Sequence, residues 1–204
     1  MNACGSRRAD EKRRVTLGIV TLSVTLAISF AAAALDFTVA DLFVRLAKER
    51  PARARFHERK YLALLTEPVD SSGELTFTPP DRLEKRTTSP KPETLTVDGA
   101  QIVIERDGRK RTLALEEHPG VAILIDSIRG TLAGDLAAVS RQYSIALDGD
   151  VAKWRLTLRP HDPTLRTTVE RIEIGGAEAE VRSVEIFQGD GDRSVMTIDP
   201  APGR

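Results

Sequence analysis

The 204-residue chain has the length of one domain, and its hydrophobic share of 41% is ordinary for a soluble protein. Its 30 basic residues balance 30 acidic ones, with no basic cluster interleaved with aromatics, which excludes electrostatic capture of nucleic acid. Aromatics make up only 4% and the single cysteine is Cys4, so Leu, Ile and Val must line any core or cavity. No disulfide can form within the chain.

Residues 1–14 carry Arg7, Arg8, Lys12, Arg13 and Arg14 against Asp10 and Glu11. An apolar run from Val15 to Phe30 follows, and then Ala31-Ala32-Ala33-Ala34. A basic region, a short apolar core and small residues are the layout of a secretory signal. The expected division is a signal peptide over 1–34, cleaved before Leu35, and a mature domain over 35–204. The alternative is an uncleaved anchor, although the run is shorter than the ~20 residues that usually span a membrane. Cys4 lies upstream of the run and cannot be a lipidation site at its end. The mature chain then lacks any thiol, which removes cysteine nucleophiles and cysteine-ligated metals.

Leu35, Val39, Leu42, Phe43 and Leu46 recur at helical spacing, with Thr38 and Asp41 as a capping pair and Pro51 as the stop. From Arg53 the period changes to two, as in half-buried strands. Strands are predicted near 53–65, 73–78, 82–88, 93–97, 100–106 and 109–115. The turns between them are Asp70-Ser71-Ser72-Gly73, Pro79-Pro80-Asp81, Pro90 with Pro92, Asp98-Gly99 and Asp107-Gly108. Gly120 to Ser140 reverts to spacings of three and four, and Gly130 and Gly134 divide it into two short helices. Strands resume near 141–148, 151–159, 167–174, 178–188 and 193–199, with turns at Asp148-Gly149, Gly175-Gly176 and Gly189-Asp190-Gly191. About eleven antiparallel strands are too many to stay flat. The expected fold is mainly β with a few helices: an unclosed, strongly curled antiparallel β-barrel plugged by a helical lid.

No reaction centre emerges. His57, His118 and His161 are scattered, and His57-Glu58 on a strand point to opposite faces. Gly189-Asp190-Gly191-Asp192 lacks the further acidic ligands of a calcium loop and reads as a turn. Ser127 lacks a nucleophile frame. The chain is expected to be no enzyme and to need no metal or cofactor. What remains is a series of one-sided apolar sets, such as Trp154, Leu156 and Leu158 opposite Lys153, Arg155 and Arg159. A filled core and a ligand cavity read identically at this level.

The ordered pieces are Leu42 to Leu46 followed by Ala54-x-Phe56, then Gly73-Glu74-Leu75, Pro80-x-x-Leu83 and Val97-Asp98-Gly99. The helical insert, Trp154-x-Leu156-x-Leu158-x-Pro160 and Ile172 to Ile174 complete the series. In that order the chain resembles the LolA/LolB group of periplasmic lipid carriers, as a divergent member. The resemblance implies an apolar cavity that shields the acyl chains of a lipid or lipoprotein, with an inner-membrane exporter and an outer-membrane acceptor as partners and a monomeric carrier. The lining it implies begins with Leu62, Leu64, Leu75, Phe77, Leu83, Ile102, Ile104, Leu113 and Leu115. The insert adds Leu124, Ile125, Ile128 and Leu132, and the last strands add Tyr143, Ile145, Trp154, Leu156, Leu158, Ile172 and Ile174. One position departs from the group. Its members commonly carry an arginine just before the proline that ends the second strand, tying sheet to lid, and here that position is Pro79. Closure is therefore expected to rest on packing of Val121, Leu124, Ile125 and Ile128, or the closed state to be less populated. The competing expectation is a structural or assembly protein, or an accessory subunit of a lipid exporter, with a filled barrel and no cargo.

Overall fold

The computed structural model describes residues 37–48 and 52–200; the expected signal segment, Leu35 and Pro51 lie outside them. Helix α1 (Val39–Leu46) starts at the expected cap: Asp41 N donates to Thr38 Oγ1 at 3.2 Å, and Thr38 N donates to Asp41 Oδ2 at 3.0 Å. Its apolar stripe buries Leu42, Phe43 and Leu46.

Six strands follow as a meander: β1 (Ala52–Tyr61), β2 (Val69–Thr78), β3 (Arg82–Ser89), β4 (Glu93–Asp98), β5 (Gln101–Arg106) and β6 (Arg109–Ala114). Helices α2 (Pro119–Leu132) and α3 (Leu136–Gln142) come next. A second meander comprises β7 (Tyr143–Asp150), β8 (Lys153–Pro160), β9 (Arg171–Ala177), β10 (Glu180–Phe187) and β11 (Arg193–Pro200). All eleven strands form one antiparallel sheet in the order β6-β5-β4-β3-β2-β1-β11-β10-β9-β8-β7. The sheet is curled but unclosed, as expected, and its edges are β6 and β7. The helical segment connects those two edges, so it spans the gap that keeps the barrel open.

Several boundaries differ from the expectation. Strand β1 ends at Tyr61, which leaves Leu62 and Leu64 in the loop 62–68; Leu64 is 98% exposed there. Asp70, Ser71 and Ser72, expected in a turn, belong to β2. Their side chains find partners across the sheet: Arg59 Nε donates to Asp70 Oδ1 at 3.0 Å, and Ser71 Oγ donates to Glu58 Oε2 at 3.3 Å. Leu115 leaves the sheet in a 3-10 turn but stays buried. Gly130 does not break α2, because it is the contact point for α3: a Cβ there would lie 2.7 Å from Val139 Cγ2. Helix α2 ends instead before Gly134, whose φ of +69° suits a residue without a Cβ. Gly175 and Gly176 lie within β9, and the turn falls at Glu178 and Ala179. Gly176 leaves room for an indole, since a Cβ on it would approach Trp154 Cζ2 to 2.2 Å.

One face of the sheet carries the core. The larger apolar cluster joins Leu42, Phe43 and Leu46 of α1 to Trp154, Leu156, Leu158, Ile172, Ile174, Val184 and Ile198 of the second meander. A smaller one joins Val97, Ile102 and Leu115 to Ile125 of α2, with Leu83, Leu95, Ile104 and Leu113 packed at its edge.

Candidate functional site

Cross-strand register defines the inner face of the first meander row by row. Phe77, Leu83, Val97, Ile102 and Leu113 are successive partners across β2 to β6. The next row inward along the strands is Ala54, Leu75, Lys85, Leu95 and Ile104. Phe77, Val97 and Ile102 are buried, whereas Leu75, Leu83, Leu95, Ile104 and Leu113 stay half-buried. These positions form an apolar strip, the trough, against which α2 packs Ala122 and Ile125.

The expected lining residues separate into two groups. Trp154, Leu156, Leu158, Ile172, Ile174 and Tyr143 are almost wholly inaccessible, at 0–2% exposure, because α1 fills the second meander. Leu124 and Ile145 pack at the margin of that core. Leu83, Ile102, Ile104, Leu113, Leu115 and Ile125 gather under α2 on the other side. Phe77, Ile128 and Leu132 belong to neither cluster. Leu62 and Leu64 are not on the trough at all. Leu75 of β2 also packs at the margin of the α1-filled core, whereas the inner residues of β3 to β6 face α2.

Helix α2 is fastened at both ends of the gap. Arg129 Nε donates to Asp81 O at 2.7 Å, and Arg129 Nη2 donates to Gly99 O at 2.7 Å, which ties α2 to the β2–β3 and β4–β5 turns. The Arg129 side chain is only 12% exposed. From the other side, Tyr143 Oη at the start of β7 donates to Ile123 O at 2.9 Å. Burial, partly offset by the Ser127 hydroxyl, pushes the Tyr143 phenol up to about 12, so it remains a donor throughout the physiological range. The expectation of a purely apolar latch is therefore corrected. Pro79 supplies no donor, but the lid helix itself carries an arginine that reaches the sheet. Val121, assigned to the packing, is 41% exposed and takes little part.

A polar island interrupts the inner face beside the trough. Glu58, on the same face of β1 as Phe56, is 4% exposed. Its Oε1 accepts from Ser194 Oγ at 2.7 Å, and its Oε2 accepts from Ser71 Oγ and from the ammonium of Lys85. Lys60 Nζ lies 3.8 Å from Oε1. Burial alone would raise the Glu58 carboxyl, but the charge and hydrogen bond of Lys85, with help from Lys60 and Ser194, hold it below its ordinary value. Lys85 also stands 4.9 Å from the centre of the Phe56 ring.

Both Arg129 and Glu58 escaped the reading of the sequence. Glu58 had a signal, since it shares its parity with Ala54 and Phe56. Arg129 had none, because its acceptors lie 48 and 30 residues away. Two open clefts of about 290 and 400 Å3 flank α2 and α3, and both include Asp126 and Arg141. Neither is lined by the strands of the trough, and the second also exposes Leu115, Pro119, Ala122, Ile123 and Leu165. Among the described residues no cluster of His, Cys, Asp and Glu could hold a metal ion, and no helix is long and apolar enough to cross a membrane.

Among solved structures, the chain is similar to a LolA superfamily protein, NE2245, from Nitrosomonas europaea, at 10% identity over 82% of this chain and 95% of that one, with a TM-score of 0.45. It is similar also to the lipoprotein LppX of Mycobacterium tuberculosis, at 9% identity over 79% and 93% of the two chains, with a TM-score of 0.43. LprF from Mycobacterium bovis matches at 17% identity over 81% and 94%, with a TM-score of 0.34. No curated protein matches the chain. The family described as outer membrane lipoprotein carrier protein LolA-like matches residues 30–200. Matched along most of its length, the chain belongs to the LolA-like family.

Proposed function

We propose that this protein is a non-catalytic periplasmic carrier that shields acyl chains in the trough of its first meander and delivers them towards the outer membrane. The observation that carries this reading is the set of half-buried residues Leu83, Leu95, Ile104 and Leu113 on two adjacent inner rows, under a helix held by Ile125 packing and by the two Arg129 hydrogen bonds. Keeping a 16-carbon chain out of water is worth on the order of 12 kcal/mol, at ~0.8 kcal/mol per methylene. A carrier must offer much of that and still release its load, and a helix that covers the trough when it is empty competes with the lipid. Export rests on the basic, apolar and small-residue order of residues 1–34. In this reading the exporter and the acceptor are membrane proteins at the two ends of the journey.

Extraction of the purified protein followed by mass spectrometry should recover lipid. A photo-crosslinking residue at Ile104 should capture it, and one at outward Arg155 should not. Equal labelling at both, with no lipid recovered, overturns the carrier reading. One observation favours a second reading: the second meander is filled by α1 down to 0% exposure at Leu156, Leu158 and Ile172. If the first meander proves equally closed to ligands, a structural or exporter-accessory role stands in its place.

A further inference from the structure

The polar island on the inner face has a chemistry of its own. Replacing a buried ion pair by apolar residues of similar size often leaves a protein as stable or makes it more so, so stability alone does not account for Glu58 and Lys85. Their placement relative to the trough is informative. Lys85 occupies the middle of the row Ala54, Leu75, Lys85, Leu95 and Ile104, and its ammonium rests on Glu58 and beside the Phe56 ring. Its side chain is 25% exposed, against 6% for Glu58, which puts the cation between the carboxylate and the open side.

The donors and acceptors are unequal. Both Glu58 oxygens already accept, from Ser194 on one and from Ser71 and Lys85 on the other. An ammonium has three donors. Among the described residues, Glu58 is the one hydrogen-bond acceptor of Lys85. With Lys60 at 3.8 Å from Glu58, two ammonium groups face one carboxylate, an excess of one positive charge. Glu93 and Arg106, cross-strand partners at the next inner position, pair at 2.5 Å and cancel. The island thus has ammonium donors to spare and is net positive, at the side of an apolar trough.

We propose that Lys85, with Lys60, receives the anionic head group of an amphiphile whose chain lies along Leu95 and Ile104. This rests on the carrier reading and narrows it. The acyl groups of a lipoprotein are held as esters and amides without charge, whereas a fatty acid or phospholipid presents a carboxylate or phosphate. The role of Glu58 is to offset the cost of an ammonium on an apolar floor and to fix its direction while the trough is empty.

The test uses delipidated protein and displacement of the uncharged probe N-phenyl-1-naphthylamine at pH 8. The competitors are dodecanoate, dodecyl phosphate and dodecanol, which share one chain length. Both anions should displace the probe about 10-fold more tightly than the alcohol, the effect of one partly exposed charge-assisted hydrogen bond. A tighter phosphate points to a phospholipid source, and a tighter carboxylate to free fatty acid. Because Lys85→Met alone strands a buried carboxylate, the variant is the double change Glu58→Gln with Lys85→Met. It should keep the wild-type affinity for dodecanol and lose the anion preference. Equal displacement by acid and alcohol in the wild type, or a preference that survives in the double variant, overturns the head-group site and leaves the carrier. Failure of all three competitors overturns both.

Discussion

Arg129→Met removes the guanidinium of the lid helix while keeping most of its apolar stem. Two hydrogen bonds to backbone carbonyls are lost, those of Asp81 and Gly99, each 2.7 Å long in the intact protein. Hydrogen bonds from a charged donor contribute about 1.5–3 kcal/mol each, which bounds the loss near 6 kcal/mol. Gly99 is exposed, so water replaces the donor there, and Asp81 is half-buried. The expected cost of the change is about 3 kcal/mol, close to a hundredfold in an equilibrium. Its neighbour Asp126, 3.8 Å away and 45% exposed, adds little. Because these bonds hold α2 to two turns and not to the main core, the cost should fall on local opening. Native-state hydrogen exchange reads this directly. Amides of Ile123 to Thr131 should exchange about a hundredfold faster, while those of Leu156 and Ile172 keep their protection. Unchanged exchange in α2 would mean that packing alone holds the helix. Equal acceleration in α2 and β8 would mean that Arg129 supports the whole molecule and is no latch.

The ion pair on the inner face makes stability depend on acid. The Glu58 carboxyl is depressed in the folded state, so its stabilisation is present above its ordinary value of 4.5 and is lost as pH falls through the depressed value. Urea unfolding midpoints measured from pH 6 downwards should fall more steeply for the wild type than for Glu58→Gln, and parallel curves would refute the assignment. Gly176→Ala places a Cβ 2.2 Å from both Trp154 Cζ2 and Glu180 O, in a region with little slack. A loss of about 1–3 kcal/mol is expected, with a shift in Trp154 fluorescence that reports the displaced ring; an unshifted spectrum and unchanged Tm would refute the tight fit.

Much of the plan was legible because local physics and global fold agree. Asp107 and Gly108 have φ of 51° and 70°, the pair of left-handed residues that a tight hairpin needs, and the dipeptide announces it. Thr38 and Asp41 announce α1 in the same way. What failed was decided by distant partners. The alternation of β1 runs on through Leu62 and Leu64, but Ala63 N donates to Asp192 Oδ1 at 2.8 Å, across 129 residues, and draws the chain into a loop. Gly130 and Gly176 look like breakers, and each instead makes space for a side chain from another element. The trough itself could not be told from a core, because the same alternating leucines and isoleucines serve both. The docking of α1 on one half and of α2 on the other is set by contacts distant in sequence.

The sheet also has a seam. The first and last strands are neighbours in its middle, with Phe56 opposite Ile198 and the Ser194–Glu58 hydrogen bond linking residues 136 apart. The other strand pairs join strands consecutive in the chain, so each meander can form by local hairpins. The seam cannot. A growing chain that lacks its final eight-residue strand holds two half-sheets, with β1 and β10 each presenting an open edge of unpaired backbone. Folding of the two halves into one cooperative unit therefore waits for the last strand, and the interval before its arrival is when the nascent protein is most exposed to aggregation.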